Sequence, residues 1–181
     1  MEKQLKNISK LMSLVLRHEP EYIGLSLDAE GWTTTDDLID KMNKKGIHVD
    51  FEMIQKVVET NDKKRFAFNE DKTKIRANQG HSIEVELNLQ QMPPPEILYH
   101  GTAHKYLEVI LKEGLKKQQR HHVHLSAEKA TALSVGSRHG KPIILEINTL
   151  EMLRDGHVFY ISDNDVWLVD HVPPRYLIIS P

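Results

Sequence analysis

Through the first half of the chain, apolar residues recur at helical spacing. Leu5, Ile8, Met12 and Val15 fall every three or four positions. They predict a helix that Pro20 stops just after Arg17 and His18. A second helix is expected at TTTDDLIDKM, with threonines available to cap its start and Gly46 to end it. Asp50 is placed to cap a third, FEMIQKVVET, whose Phe51, Ile54, Val57 and Val58 form an apolar stripe. The pattern then shortens, and RFAFN and KIRA read as two strands joined by the polar turn EDKT. Three helices followed by a hairpin is the order of a winged-helix module, a unit that serves nucleic-acid binding and protein interaction alike.

The stretch NLQQMPPPE carries three consecutive prolines, which neither continue a helix nor sit in a central strand. It is expected to be a short extended connector between two lobes, residues 1–90 and 91–181. Beyond it the texture changes to short apolar runs: ILYHGT, VHLS, PIILEIN, VFYIS, VWLV and YLIIS as strands, with KYLEVILKEG and AEKATALSVGSR as helices. No glycine-rich phosphate loop of the Rossmann or Walker type is present.

Composition narrows the classes. With 39% hydrophobic and 28% charged residues, the chain reads as a soluble globular protein rather than a disordered one. No run approaches the roughly 18 apolar residues of a membrane span, so no membrane partner is expected. The absence of cysteine excludes disulfides, thiolate zinc sites and a cysteine nucleophile, and suits a cytoplasmic location. A formal charge of −2 means that any nucleic acid must be held by a local cluster rather than by a general positive field.

Candidate chemistry sits in short stretches. LRHEP places Arg17 and His18 at a helix end, where a cation also serves as an ordinary cap. RANQGHS sets Arg76 at a strand end with His81 shortly after, and Arg138 follows the small-residue helix ATALSVGSR. In HHVHLS, alternation puts His122 and His124 on one face and His121 on the other. A zinc site there needs further ligands; His139, His100 or an acidic residue could supply them, but nothing in the spacing demands it, so no metal is expected. YHGT combines His100, Gly101 and Thr102, a glycine for close backbone approach flanked by two polar side chains. Lys63, Lys64 and Arg65 open the hairpin, either as phosphate contacts or as a solvated edge.

Taken in order, LRHEP, DKKRF, RANQGHS, YHGT, VHLS and SRHG closely resemble the RNA 2′-phosphotransferase family across nearly the whole chain. The resemblance implies an α+β protein: a winged-helix lobe over 1–90, an ADP-ribosyltransferase-like lobe over 91–181, and an active site in the cleft between them. It implies transfer of an internal RNA 2′-phosphate to NAD, giving 2′-hydroxyl RNA, nicotinamide and ADP-ribose 1″,2″-cyclic phosphate through an ADP-ribosylated RNA intermediate. By motif the catalytic set falls on Arg17, His18, Arg76 and Arg138. The NAD contacts fall on His100, Gly101, Thr102, His124 and Ser126. With both lobes in one chain, a monomer is expected.

The chemistry suits these residue types. A phosphate monoester is largely dianionic at neutral pH, so as a nucleophile it needs capture and aim rather than a base. Forked guanidinium groups supply both. Many ADP-ribosyltransferases place a glutamate on a late strand. NDVWLVDH offers Val166, Trp167 and Leu168 there, which fits an incoming dianion that a carboxylate would repel. The alternatives are an NAD-sensing winged-helix regulator without turnover and a zinc-bound hydrolase.

Overall fold

The computed structural model describes residues 1–181, a mixed α+β chain of six helices and several small sheets. It divides into two compact units, 1–88 and 89–181. No helix is long and apolar enough to cross a membrane.

In the first unit, α1 (Glu2–Arg17) is followed by a 3-10 turn, Pro20–Ile23. Next come β1 (Thr33–Thr34), α2 (Thr35–Lys44), α3 (Phe51–Glu59), β2 (Phe66–Phe68) and β3 (Lys74–Ala77). The starts of α2 and α3 are fixed by side-chain caps: Thr34 accepts from the Asp37 N–H at 3.1 Å, and Asp50 from the Met53 N–H at 2.9 Å. The Gly46 N–H closes the far end of α2 on the Asn43 carbonyl, with Gly46 at a φ of 81° that favours glycine. Ile8, Met12, Leu16, Leu38, Ile54 and Ile75 lie in one core. Phe51 departs from the expected stripe: it is exposed and rests its ring 5.9 Å from that of Phe68. At N1 of α3 it sits over the sheet's rim rather than over the core. The hairpin gains a third strand, β1, giving the order β1-β3-β2.

The second unit opens with β4 (Gln90–Gln91), β5 (Ile97–Ala103), α4 (His104–Glu113), β6 (Leu115–Lys116) and β7 (Val123–Leu125). It continues with α5 (Lys129–Gly136), β8 (Pro142–Asn148), α6 (Thr149–Arg154), β9 (Tyr160–Ile161), β10 (Trp167–Val169), β11 (His171–Val172) and β12 (Leu177–Ile179). Three antiparallel groups result: β4-β9-β10-β7, β11-β6 and β12-β8-β5. Leu98, Leu125, Leu145, Ile147, Phe159 and Tyr176 fill its core.

Two expectations need revision here. The proline-rich connector is extended but docked: Gln90 and Gln91 pair with Ile161 and Tyr160, and the Met92 N–H reaches the Phe159 carbonyl at 3.1 Å. The strand carrying YHGT does not end there either. It runs unbroken to Ala103 because β8 pairs with every residue from Ile97 to Ala103.

Candidate active-site residues in the two units

In the first unit the two cationic stretches come together. Arg17 is the last residue of α1 and is 8% exposed; His18 caps the helix with its N–H on the Leu14 carbonyl. The Ser82 N–H donates to the Arg17 carbonyl at 2.9 Å, and Ser82 Oγ shares a 2.8 Å hydrogen bond with His18 Nδ1. The end of RANQGHS is thereby stapled to the end of LRHEP. One contact satisfies an orphan carbonyl of the helix end, and the other fixes the histidine ring. His81, fully buried, packs its Nε2 about the Gly31 turn.

Arg76 lies on β3 with its strand neighbour Ala67 on one side. On the other, its guanidinium stacks 4.5 Å from the centroid of the Trp32 ring. Ile75, one residue earlier, faces the core, so strand alternation turns Arg76 to the opposite face.

Lys63, Lys64 and Arg65 lie at the open end of the hairpin rather than at its tip, which is the 69–73 turn. Asn78 ties them to the RANQGHS loop: its N–H donates to the Arg65 carbonyl at 2.9 Å and its Nδ2 to the Lys64 carbonyl at 2.6 Å. Lys63 and Arg65 are half-buried and Lys64 is exposed, so the trio is not a freely solvated edge. Burial lowers the pKa of Arg65, though a guanidinium remains charged.

In the second unit, YHGT and VHLS are neighbours. Tyr99 and Ser126 exchange both backbone hydrogen bonds, at 2.8 and 2.9 Å. His100 Nδ1 lies 3.1 Å from the His124 carbonyl, which requires the ring to donate there. Burial pushes the His100 imidazole below its ordinary range, the hydrogen bond to His124 opposes this, and the nearby His139 adds to it. His100 is therefore neutral at physiological pH. His124 is half-buried on β7 opposite Leu168, with Arg120 Nη1 3.4 Å from its Nδ1. Thr102 is buried.

Gly101 has a packing reason besides the one read in the sequence. A Cβ there would lie 1.6 Å from the Ala132 carbonyl oxygen, and one on Gly136 would lie 2.7 Å from the Thr102 oxygen. The two glycines let α5 press backbone to backbone on β5, which carries α5's end, and with it Arg138, past the YHGT strand. Arg138 is exposed just beyond α5, and its guanidinium caps no carbonyl. His139, the next residue, is close enough to His100 to affect its charge.

The late strand is β10, and Trp167, Leu168 and Val169 are all buried. No carboxylate lies on it. Asp165 belongs to the preceding turn, at a φ of 61°, and Asp170 pairs with Lys117 Nζ at 2.5 Å. No three histidine or acidic side chains are grouped as metal ligands.

Sequence reasoning missed two contributors. Ser82 lies inside a quoted motif, but its role as a staple depends on a partner 64 residues away. Trp32 gave a local signal only as GW at the end of a turn.

Comparison with known proteins specifies the class of this α+β chain. The family described as RNA 2′-phosphotransferase, Tpt1 / KptA family, matches residues 3–171. A protein of Flavobacterium johnsoniae named "Probable RNA 2'-phosphotransferase" is 61% identical over 95% of this chain and 94% of its own. Proteins of the same name from Fusobacterium nucleatum and Rhodopirellula baltica are 56% and 54% identical. They cover 94% and 97% of this chain, and 96% of each relative. The chain belongs to the RNA 2′-phosphotransferase family.

Proposed function

We propose that this protein transfers an internal RNA 2′-phosphate to NAD, with the first unit as a winged-helix lobe that captures the phosphate and the second as an ADP-ribosyltransferase-like lobe that holds NAD. Family membership supports the reaction class. The observation that carries the residue assignment is the Ser82 staple, which joins the Arg17–His18 helix end to the loop following Arg76. Three helices and a hairpin support the first lobe assignment, and the linked YHGT and VHLS strands support the second.

In the first step a phosphate oxygen attacks C1″ of the NAD ribose, and the glycosidic bond to nicotinamide breaks, its electron pair leaving with the pyridine nitrogen. The nucleophile is already anionic, so Arg17, Arg76 and Arg138 hold and aim it without removing a proton. In the second step the ribose 2″-hydroxyl attacks phosphorus, and the RNA 2′-oxygen departs. Here a proton must leave the 2″-hydroxyl and one must reach the RNA oxygen. His18, its ring fixed through Nδ1 by Ser82, is the group for this transfer, while the arginines offset charge at phosphorus. His100, Thr102, His124 and Ser126 hold NAD, with the neutral His100 imidazole suited to hydrogen bonding rather than to charge. No metal takes part.

Incubation with NAD and an oligonucleotide bearing one internal 2′-phosphate should release nicotinamide and ADP-ribose cyclic phosphate. Binding of both substrates with no nicotinamide released would replace this reading with that of an NAD-sensing regulator.

A further inference from the structure

The cations that open the β2–β3 hairpin stand on a loop outside helix and strand. Residues 61–65 lie between α3 and β2, and Lys64 takes a φ of 43°. That is a left-handed conformation which a lysine adopts only where its surroundings impose it. Two asparagines impose it from opposite sides.

Asn61 holds the start of the loop. Its carbonyl accepts from the Lys64 N–H at 2.8 Å, and its Oδ1 from the N–H groups of Lys63 at 3.2 Å and Arg65 at 3.4 Å. Its Nδ2 donates to Ser9 Oγ on α1 at 3.3 Å, which ties the loop to the first helix.

Asn78 holds the other side. The pairing of Phe66 with Ala77 continues one step, so Asn78 stands opposite Arg65 and its N–H donates to the Arg65 carbonyl at 2.9 Å. Any residue but proline supplies that bond. The second bond needs this side chain. Asn78 Nδ2 donates to the Lys64 carbonyl at 2.6 Å, one residue beyond the backbone ladder, and a carbonyl acceptor fixes which end of the amide faces it. Asn78 is itself buried, and its segment is held again where the Ser82 N–H meets the Arg17 carbonyl. The segment that fixes His18 therefore also fixes the backbone of Lys64 and Arg65.

We propose that Asn78 is a positioning residue for RNA: its amide holds the Lys64–Arg65 backbone in one conformation before RNA arrives, so that both side chains reach phosphates of the strand from a fixed base. The inference rests on the reading that Lys64 and Arg65 meet RNA phosphates. Asn78 itself touches no RNA; it removes an ordering cost that a loose loop would carry into binding.

The test measures binding of the full chain to a labelled oligonucleotide with one internal 2′-phosphate, without NAD, by fluorescence anisotropy. Four proteins close a cycle: wild type, Asn78→Ala, the double variant Lys64→Gln with Arg65→Gln, and all three substitutions together. Asn78→Ala should raise Kd roughly three- to thirtyfold, the range expected when one or two long side chains must be ordered on binding. In the double variant the same change should move Kd by less than about twofold, because the side chains it positions are gone. A purely structural role for Asn78 would weaken both backgrounds alike.

The proposal is overturned if Asn78→Ala binds within about twofold of wild type, or if it weakens the double variant by the same factor as wild type. Should Asn78→Ala fail to fold, Asn78→Ser takes its place in the cycle, with a side chain that stays polar but is too short for the Lys64 carbonyl. A double variant that binds like wild type overturns the proposal from another direction, by taking Lys64 and Arg65 out of contact with RNA. Absence of nicotinamide release by wild type with NAD is a different failure: it removes the proposed reaction and leaves the binding cycle to decide the role of Asn78.

Discussion

Ser82 does at the scale of one residue what neither cationic motif does alone. Its N–H satisfies a carbonyl at the end of α1, and its hydroxyl fixes His18. Because His18 serves the second chemical step in the proposed mechanism and the first step needs no base, the two steps respond differently to its loss. His18→Ala should leave nicotinamide release running and slow the following step by about a hundredfold or more, the usual contribution of a general acid–base group. ADP-ribosylated RNA should then accumulate on a denaturing gel. Unused substrate without that species would assign His18 to the first step instead.

Among the elements, α5 and β5 show how packing sets a sequence requirement that resembles ligand binding. Gly101 stands between two candidate NAD contacts, yet its missing side chain is where the Ala132 carbonyl sits. Gly101→Ala should destabilise the second unit by at least about 3 kcal/mol, since the obstructing atom is backbone and cannot rotate aside. A thermal unfolding midpoint equal to wild type would show that α5 can shift. The same scale separates what was legible in the sequence from what was not. The first three helices were readable because each carries an apolar stripe and α2 and α3 carry their own N-caps, as were the longer strands of the second unit. The two-residue strands β1, β4, β6 and β11 were not, because pairing with distant segments creates them and no local pattern does. The candidate site divides likewise: the motifs singled out Arg17, His18, Arg76 and Arg138, but Ser82 and Trp32 meet His18 and Arg76 through contacts made only on folding. The placement of residues 63–65 beside Asn78, away from the hairpin tip, depends in the same way on strand register.

For the whole molecule, charge is the deciding quantity. A chain of net charge −2 has no general attraction for a polyanion, so in the proposed reading its grip on RNA comes from local cations, Lys63, Lys64 and Arg65 among them. Replacing Lys63, Lys64 and Arg65 with glutamine should weaken binding of the 2′-phosphorylated oligonucleotide. It should also reduce the slope of log affinity against log salt by up to about 2, at roughly 0.7 per phosphate contact on a single strand. An unchanged slope would take these three residues out of the RNA contact set.

The docking of Gln90 and Gln91 on Tyr160 and Ile161 bears on anyone dividing this chain for study. Composition invites a cut at the prolines, yet a fragment begun there would leave the outer rim of β9 bare. Such a rim recruits strands from other molecules, so the shortened piece would invite self-association through it.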